Sequence, residues 1–92
     1  MRRYYFDFRD ADHLTEDHSG KLLAGNKAAQ REAQYALGAM LRRVSGSAMH
    51  RVLAIEVRDE GRRPLFRANL TFEIGPFAKL SFARRSPDRY VA

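Results

Sequence analysis

The densest group of side chains that could take part in chemistry lies in one polar stretch near the start of the chain. Six potential oxygen or imidazole ligands fall within nine residues there: Asp10, Asp12, His13, Glu16, Asp17 and His18. Carboxylates suit hard cations and imidazole suits zinc or other transition metals, so a metal site is one interpretation. The spacing matches neither an EF-hand loop nor a paired-histidine helix. A solvated acidic loop between strands explains the stretch better, and we predict no bound metal or cofactor.

Nucleophilic catalysis needs a hydroxyl or thiol beside a base, and the sequence offers no such arrangement. The chain has no cysteine, which removes thiolate nucleophiles, disulfides and sulfur-ligated metals. Its serines fall in turn or tail contexts without a nucleophile elbow, and His50 opens a predicted strand. No glycine-rich phosphate cradle is present. We therefore expect a protein that is not an enzyme.

The positive charge of the chain is organised largely as arginine pairs. The net charge is +6, and half of this excess falls in the last 18 residues. The pairs occur at the chain start, the helix end, a hairpin tip and the tail: Arg2-Arg3, Arg42-Arg43, Arg62-Arg63 and Arg84-Arg85. Such pairs can attract phosphate through salt-sensitive, sequence-independent contacts. They can equally offset a helix dipole or discourage aggregation at sheet edges. Weak nucleic-acid binding is therefore the alternative function.

The elements that must position these side chains follow from hydrophobic periodicity. Strict alternation over Arg3–Arg9 predicts a half-buried strand, and Lys21–Leu23 is consistent with a short returning strand. From Asn26 the apolar residues recur at helical spacing, with Asn26 as the predicted N-cap and Gly46 as the stop. The apolar stripe begins with alanines, so we expect the helix to approach the sheet most closely there.

Two further alternating runs predict a hairpin in a defined register. Pairing residue 57 with 66, 55 with 68 and 53 with 70 places the apolar residues of both runs on one face. The same register leaves Gly61-Arg62 as a two-residue loop, with glycine at the first central position of a type II′ turn.

Three segments of this sequence resemble a family of short bacterial proteins catalogued as a domain of unknown function. The segments are Arg3–Asp7, Ala28–Ala33 and Ile55–Leu65. The resemblance covers roughly Met1 to Ile74. It implies a fold, and it implies no activity.

Together these patterns predict a single small α+β domain of ββαββ order. Residues 1–75 form an antiparallel sheet of three or four strands with one helix on one face, and residues 76–92 form a basic tail. No run reaches the roughly eighteen apolar residues that a membrane span needs, and acid follows the basic start before any signal-peptide core. We therefore expect a cytoplasmic protein that does not enter a membrane.

The face of the sheet opposite the helix is a weak platform for RNA. It is predicted to carry three arginines, three acids and one aromatic ring, whereas RNA-binding sheets present two or three rings. A small sheet with exposed edges instead favours self-association, as a homodimer or larger homo-oligomer, or binding of another protein. No small-molecule substrate is evident. The residues predicted to take part in recognition are Tyr5, Arg62, Arg63, Arg84, Arg85 and Arg89.

Overall fold

The computed structural model describes residues 1–43 and 50–77. Its elements, in chain order, are β1 (Arg2–Asp10), β2 (His13–Thr15), β3 (Lys21–Leu23), α1 (Asn26–Arg43), β4 (His50–Arg58) and β5 (Pro64–Glu73). Within the described ranges, no helix has the length and apolar character required to cross a bilayer.

All strands form one antiparallel sheet with β1 and β4 at its centre. The order is β2-β1-β4-β5, and β3 pairs with the first part of β1 while β2 pairs with its last part. Tyr5 lies opposite Arg58 and Asp10 lies opposite Leu53, so β1 and β4 are aligned over six residue pairs. Among the described strands, β5 therefore forms one edge of the sheet, and the opposite edge is shared by β2 and β3.

The hydrophobic core lies between α1 and one face of the sheet. Tyr4, Leu53 and Val57 are each at most 1% exposed, and Ala29 and Ala33 of the helix are fully buried. Alternation places these strand side chains on the same face. Both alanines come from the small start of the apolar stripe, and the closest approach of the helix to the sheet at this point stays a prediction.

The predicted α+β class with one helix on an antiparallel sheet is confirmed. The sheet has five strands rather than three or four because β2 returns along β1 immediately after a two-residue loop, Ala11-Asp12. Ala11 adopts a φ of 57°, a left-handed conformation that glycine or asparagine usually occupies in such loops. Neither residue type is present at that point, so the sequence carries no hairpin signal there.

The helix begins at the predicted residue, but Asn26 has a different contact from the one expected. The carbonyl of Gly25 accepts the first helical hydrogen bond, from the amide of Ala29 at 3.0 Å, which makes Gly25 the N-cap. Asn26 Oδ1 instead accepts a hydrogen bond from the Tyr4 hydroxyl at 3.1 Å. The predicted stop at Gly46 lies outside the described residues.

The predicted register between β4 and β5 is confirmed, whereas the predicted turn is wrong. Val57 lies opposite Phe66, Ile55 opposite Ala68 and Leu53 opposite Leu70. The turn spans three residues: the amide of Arg62 donates to the carbonyl of Asp59, and Arg62 is left-handed at φ 66°. An extra residue, Leu65, also separates Pro64 from the regular ladder. Asp59 Oδ1 stabilises this turn because it accepts hydrogen bonds from the amides of Gly61 and Arg63.

Replacing Arg62 with glycine should raise the free energy of unfolding by about 0.5 kcal/mol. A left-handed conformation costs an L-residue about 1–2 kcal/mol, and glycine avoids this cost while losing more backbone entropy on folding. Urea unfolding followed by circular dichroism measures the change. Gly61→Ala is the matched control, because a Cβ there would meet only Asp59 Oδ1 at 3.5 Å. A type II′ turn would reverse the result, with Gly61→Ala destabilising and Arg62→Gly neutral.

Candidate functional site

A buried ion pair lies on the sheet face opposite the helix, at the centre of what the sequence predicted to be an open surface. Asp7 of β1 is only 7% exposed. Its carboxylate accepts hydrogen bonds from Arg58 of β4, at 2.7 Å from Nε and 3.3 Å from Nη2. The Arg58 guanidinium also stacks over the ring of Tyr5, 4.7 Å from its centroid. The Asp7 hydrogen bond raises the pKa of Arg58, so the guanidinium stays charged.

The segment between β2 and β3 folds over this pair and is fixed by Asp17. The amide of Asp17 donates to Asp7 Oδ1 at 2.9 Å, and its carbonyl accepts from Arg58 Nη2 at 3.0 Å. The Asp17 carboxylate accepts hydrogen bonds from three backbone amides, those of Phe6, Ser19 and Gly20. We call Asp7, Asp17, Arg58 and Tyr5 the clamp. It joins β1, β4 and the loop before β3.

Gly20 permits this close packing of the loop on β1. It adopts a φ of 72°, and a Cβ at this position would lie 2.8 Å from Arg3 Cγ and 3.0 Å from Tyr5 Cε2. Both the backbone conformation and the space therefore favour glycine.

Acid should destabilise the domain through Asp17. Burial raises the pKa of Asp17, but the hydrogen bonds from the amides of Phe6, Gly20 and Ser19, with the charge of Arg58, outweigh it and hold the pKa below 3.8. A carboxylate with a lowered folded-state pKa contributes stability that is complete above its unfolded pKa and is lost as the pH falls through its folded pKa. Urea unfolding at about pH 5 and about pH 3 should show this loss. The loss should be smaller in Asp17→Asn, and an equal loss in both proteins would contradict the assignment.

A second set of charges crosses the same face toward β5. Glu56 of β4 lies between Arg9 of β1, at 3.3 Å, and Arg67 of β5, at 2.6 Å. The hydrogen bond from Arg67 is the largest cause of the lowered pKa of Glu56, and Arg9 adds to it. We call Arg9, Glu56 and Arg67 the charge row. Its last member stands on the edge strand with 56% of its side chain exposed.

Edge strand β5 is long and only partly covered. It has ten residues, and β4 is its strand neighbour in the described sheet. Its helix-side residues are half-buried: Phe66, Ala68 and Leu70, which pack against the core, and Phe72. Within residues 1–43 and 50–77, β5 therefore combines a backbone edge that no other strand pairs with and an incompletely buried apolar row.

The hairpin tip carries two of the arginines predicted to take part in recognition. Arg62 and Arg63 are exposed, and Arg63 Nε lies 3.4 Å from Asp59 Oδ2. The backbone hydrogen bond from Arg63 is the largest cause of the lowered pKa of Asp59, and Arg2 also lowers it. Arg2, Arg3 and Arg63 line one depression at this end of the sheet.

The structure separates the predicted recognition residues into distinct places. Tyr5 is half-buried beneath Arg58, whereas Arg62 and Arg63 are exposed at the tip. Arg84, Arg85 and Arg89 lie outside the described residues, as does most of the tail. A recognition role for these residues stays a prediction.

Sequence reasoning missed the clamp: it expected the strand members on an open sheet face and Asp17 in a solvated loop. Asp7 is one of the three acids expected on the exposed sheet face, yet it is 7% exposed, and Ala54 on the same face is 5% exposed. Asp7 is covered because the loop carrying Asp17 folds over it. Only the end of the polar stretch that suggested a metal site, Glu16 to His18, lies in this loop, since Asp10 belongs to β1 and His13 to β2. Within residues 1–43 and 50–77 no three acidic or histidine side chains come together to hold a metal.

The fold and the site define a small α+β domain with an ion-paired sheet face and, among the described residues, one long edge strand. A family model matches residues 3–71, and the chain belongs to that family, described as a domain of unknown function (DUF6894). The resemblance predicted from the three sequence segments is thereby confirmed. Comparison with curated proteins and with solved structures gave no match.

Proposed function

We propose that this domain is a non-catalytic self-association module in which β5 pairs with β5 of a second copy. The observation that carries the proposal is the ten-residue edge strand with its half-buried apolar row. Pairing two such edges would satisfy open backbone groups and cover the row at the same time. The clamp and the charge row support a non-catalytic role, because their carboxylates are engaged by arginines or backbone amides.

Two features that protect a sheet edge, a proline and an interrupted ladder, lie at the start of β5. Pro64 cannot donate to a neighbouring strand, and the extra residue Leu65 interrupts the ladder beside it. From Phe66 to Ile74 the chain has neither proline nor lysine, and Ile74 is 54% exposed. The second part of β5 is therefore suited to strand pairing.

Ion pairs between arginines and carboxylates within the protein make nucleic-acid binding the weaker candidate. Arg9 and Arg67 contact Glu56, and Arg58 contacts Asp7. A phosphate would have to compete with these carboxylates, and the ring of Tyr5 already carries a guanidinium. The exposed arginines at the hairpin tip could still bind phosphate in a salt-sensitive way, so nucleic-acid binding is the alternative that the experiment below tests.

Size-exclusion chromatography with light scattering, in low and in high salt and after nuclease treatment, tests the proposal. We expect a dimer that persists in high salt and carries no 260 nm absorbance, because apolar contacts and backbone hydrogen bonds are little screened. A monomer in both buffers would overturn the proposal. A species that sheds nucleic acid only in high salt would favour the alternative.

A pair of edge variants locates the interface. Asn69→Lys/Thr71→Lys adds two charges to β5 and should yield a monomer, since lysines on an edge oppose strand pairing. His13→Lys/Thr15→Lys adds the same charges to exposed residues of β2, at the opposite edge, and should leave the dimer intact. The reverse pattern would place the interface at β2 and contradict the proposal.

A further inference from the structure

We propose that the two β5 strands pair antiparallel about a two-fold axis at Leu70, so that Arg67 of each copy meets Glu73 of the other. The inference rests on the proposed self-association and names its register. It also fixes the partner surface as the same seven residues, 67–73, in both copies.

Face matching restricts the possible registers. Residues directly opposite each other on antiparallel strands point to the same face of the sheet. The apolar row of β5 falls on even-numbered residues and the polar row on odd-numbered ones. Only registers that pair even with even keep both half-buried rows against each other, which leaves a series of alternatives that differ by two residues.

Charge selects one register from this series. With Leu70 opposite itself, Arg67 stands opposite Glu73 of the second copy at two symmetric positions. Moving the second copy by two residues in one direction places Arg67 opposite Thr71 and Glu73 opposite Leu65. The same shift in the other direction places Arg67 opposite Gly75 and Glu73 opposite Asn69. Of these three registers, only the one at Leu70 puts opposite charges in cross-strand contact.

The charge row extends across the interface in this register. On each copy, Glu56 contacts Arg67 at 2.6 Å, and His50 contacts Glu73 at 3.3 Å. A guanidinium has five N–H donors, so Arg67 can bind the second carboxylate without releasing the first. Positive and negative groups would then alternate from Arg9 of one copy to Glu73 of the other.

The apolar side and the strand geometry agree with the same register. Ala68 would face Phe72 of the second copy, a small side chain opposite a large one, and Leu70 would face its own symmetry mate. The paired stretch also lies wholly beyond Leu65, the extra residue at which the ladder of β5 is irregular.

Single cysteines report the register directly, because the protein has none of its own. Directly opposed residues on antiparallel strands have Cα atoms about 4.5–5.5 Å apart, within the range that a disulfide spans. Under mild oxidation Leu70→Cys should form the covalent dimer fastest. A mixture of Asn69→Cys and Thr71→Cys should form a mixed dimer faster than either variant forms a dimer with itself. Fastest self-linking by Asn69→Cys or Thr71→Cys would overturn the register and leave self-association standing.

Charge reversal tests the ion pair independently. Arg67→Glu or Glu73→Arg alone brings like charges together twice, and each should weaken the dimer at least about tenfold. An equimolar mixture of the two variants restores opposite charges at both positions and should recover a heterodimer. Thermal melts show whether each variant is folded. Weakening without recovery in the mixture would overturn the ion pair, and a wild-type protein that is monomeric throughout would overturn self-association itself.

Discussion

Replacing Asp7 with alanine should lower the free energy of unfolding by about 3 kcal/mol. The change removes the carboxylate that binds Arg58 at 2.7 Å and leaves a half-buried guanidinium without that partner. Breaking a buried ion pair from one side costs about 3–5 kcal/mol, and the partial exposure of Arg58 favours the lower figure. The amide of Asp17 also loses its acceptor. Because a domain of this size is stable by only about 5–10 kcal/mol, urea unfolding should show a large shift in midpoint.

Asp10→Ala is the matched control for this experiment. Asp10 lies on the same strand and also contacts an arginine, Arg51, but at 3.4 Å and with 30% of both side chains exposed. A more exposed pair is worth about 0–1 kcal/mol, so this variant should remain near the stability of the wild type. Asp7→Asn keeps an acceptor for the Asp17 amide and should fall between the two. Equal losses for Asp7→Ala and Asp10→Ala would show that the clamp contributes no more than a surface ion pair.

The clamp could not be predicted from the sequence because its residues meet only through tertiary pairing. Asp7 and Arg58 are 51 residues apart in the chain. Their approach depends on the alignment of β1 with β4, which no turn or local pattern specifies. Asp17 belongs to an aperiodic stretch, and its role depends on backbone amides whose positions the sequence does not show. The acidic and histidine residues around Asp17 suggested a metal site because the sequence does not show that backbone amides and Arg58 engage the Asp17 loop.

The sequence predicted the strands and their register better than it predicted the clamp, because a strict period of apolar residues determines them. Alternation identified β1, and the matching of apolar residues fixed the register of β4 with β5 because one face of the sheet is buried. The turn between them was predicted wrongly because glycine at position 61 suggested a type II′ turn. The Asp59 side chain instead stabilises a three-residue loop, at the cost of a left-handed Arg62. Side-chain capping here outweighs the preference of a single glycine.

The clamp and the proposed interface lie on different parts of the sheet, which makes their contributions separable. Asp7 and Arg58 connect β1, β4 and the loop before β3, whereas β5 is the outer strand on the other side of β4. Glu56 joins the two regions through the charge row. Loss of the clamp should therefore act on folding, and changes on β5 should act mainly on association.

Replacing Tyr4 with alanine should cost about 4 kcal/mol and give the largest loss of stability among the single changes considered. Tyr4 is 1% exposed and is among the largest fully buried side chains, together with Leu53 and Val57. Deleting a buried aromatic ring removes its burial energy and leaves a cavity, at a cost of about 3–5 kcal/mol. Much of the stability of a domain this small would be lost, so the urea midpoint should fall steeply.

Tyr4→Phe separates the ring from its hydroxyl. It removes only the hydrogen bond to Asn26 Oδ1, which should cost about 1 kcal/mol. The difference between the two variants therefore measures the packing of the ring between sheet and helix, and Asn26→Ala should add little to Tyr4→Phe because the same bond is already absent. A Tyr4→Phe loss as large as that of Tyr4→Ala would mean that the hydroxyl contact, rather than burial of the ring, holds the start of α1 against the sheet.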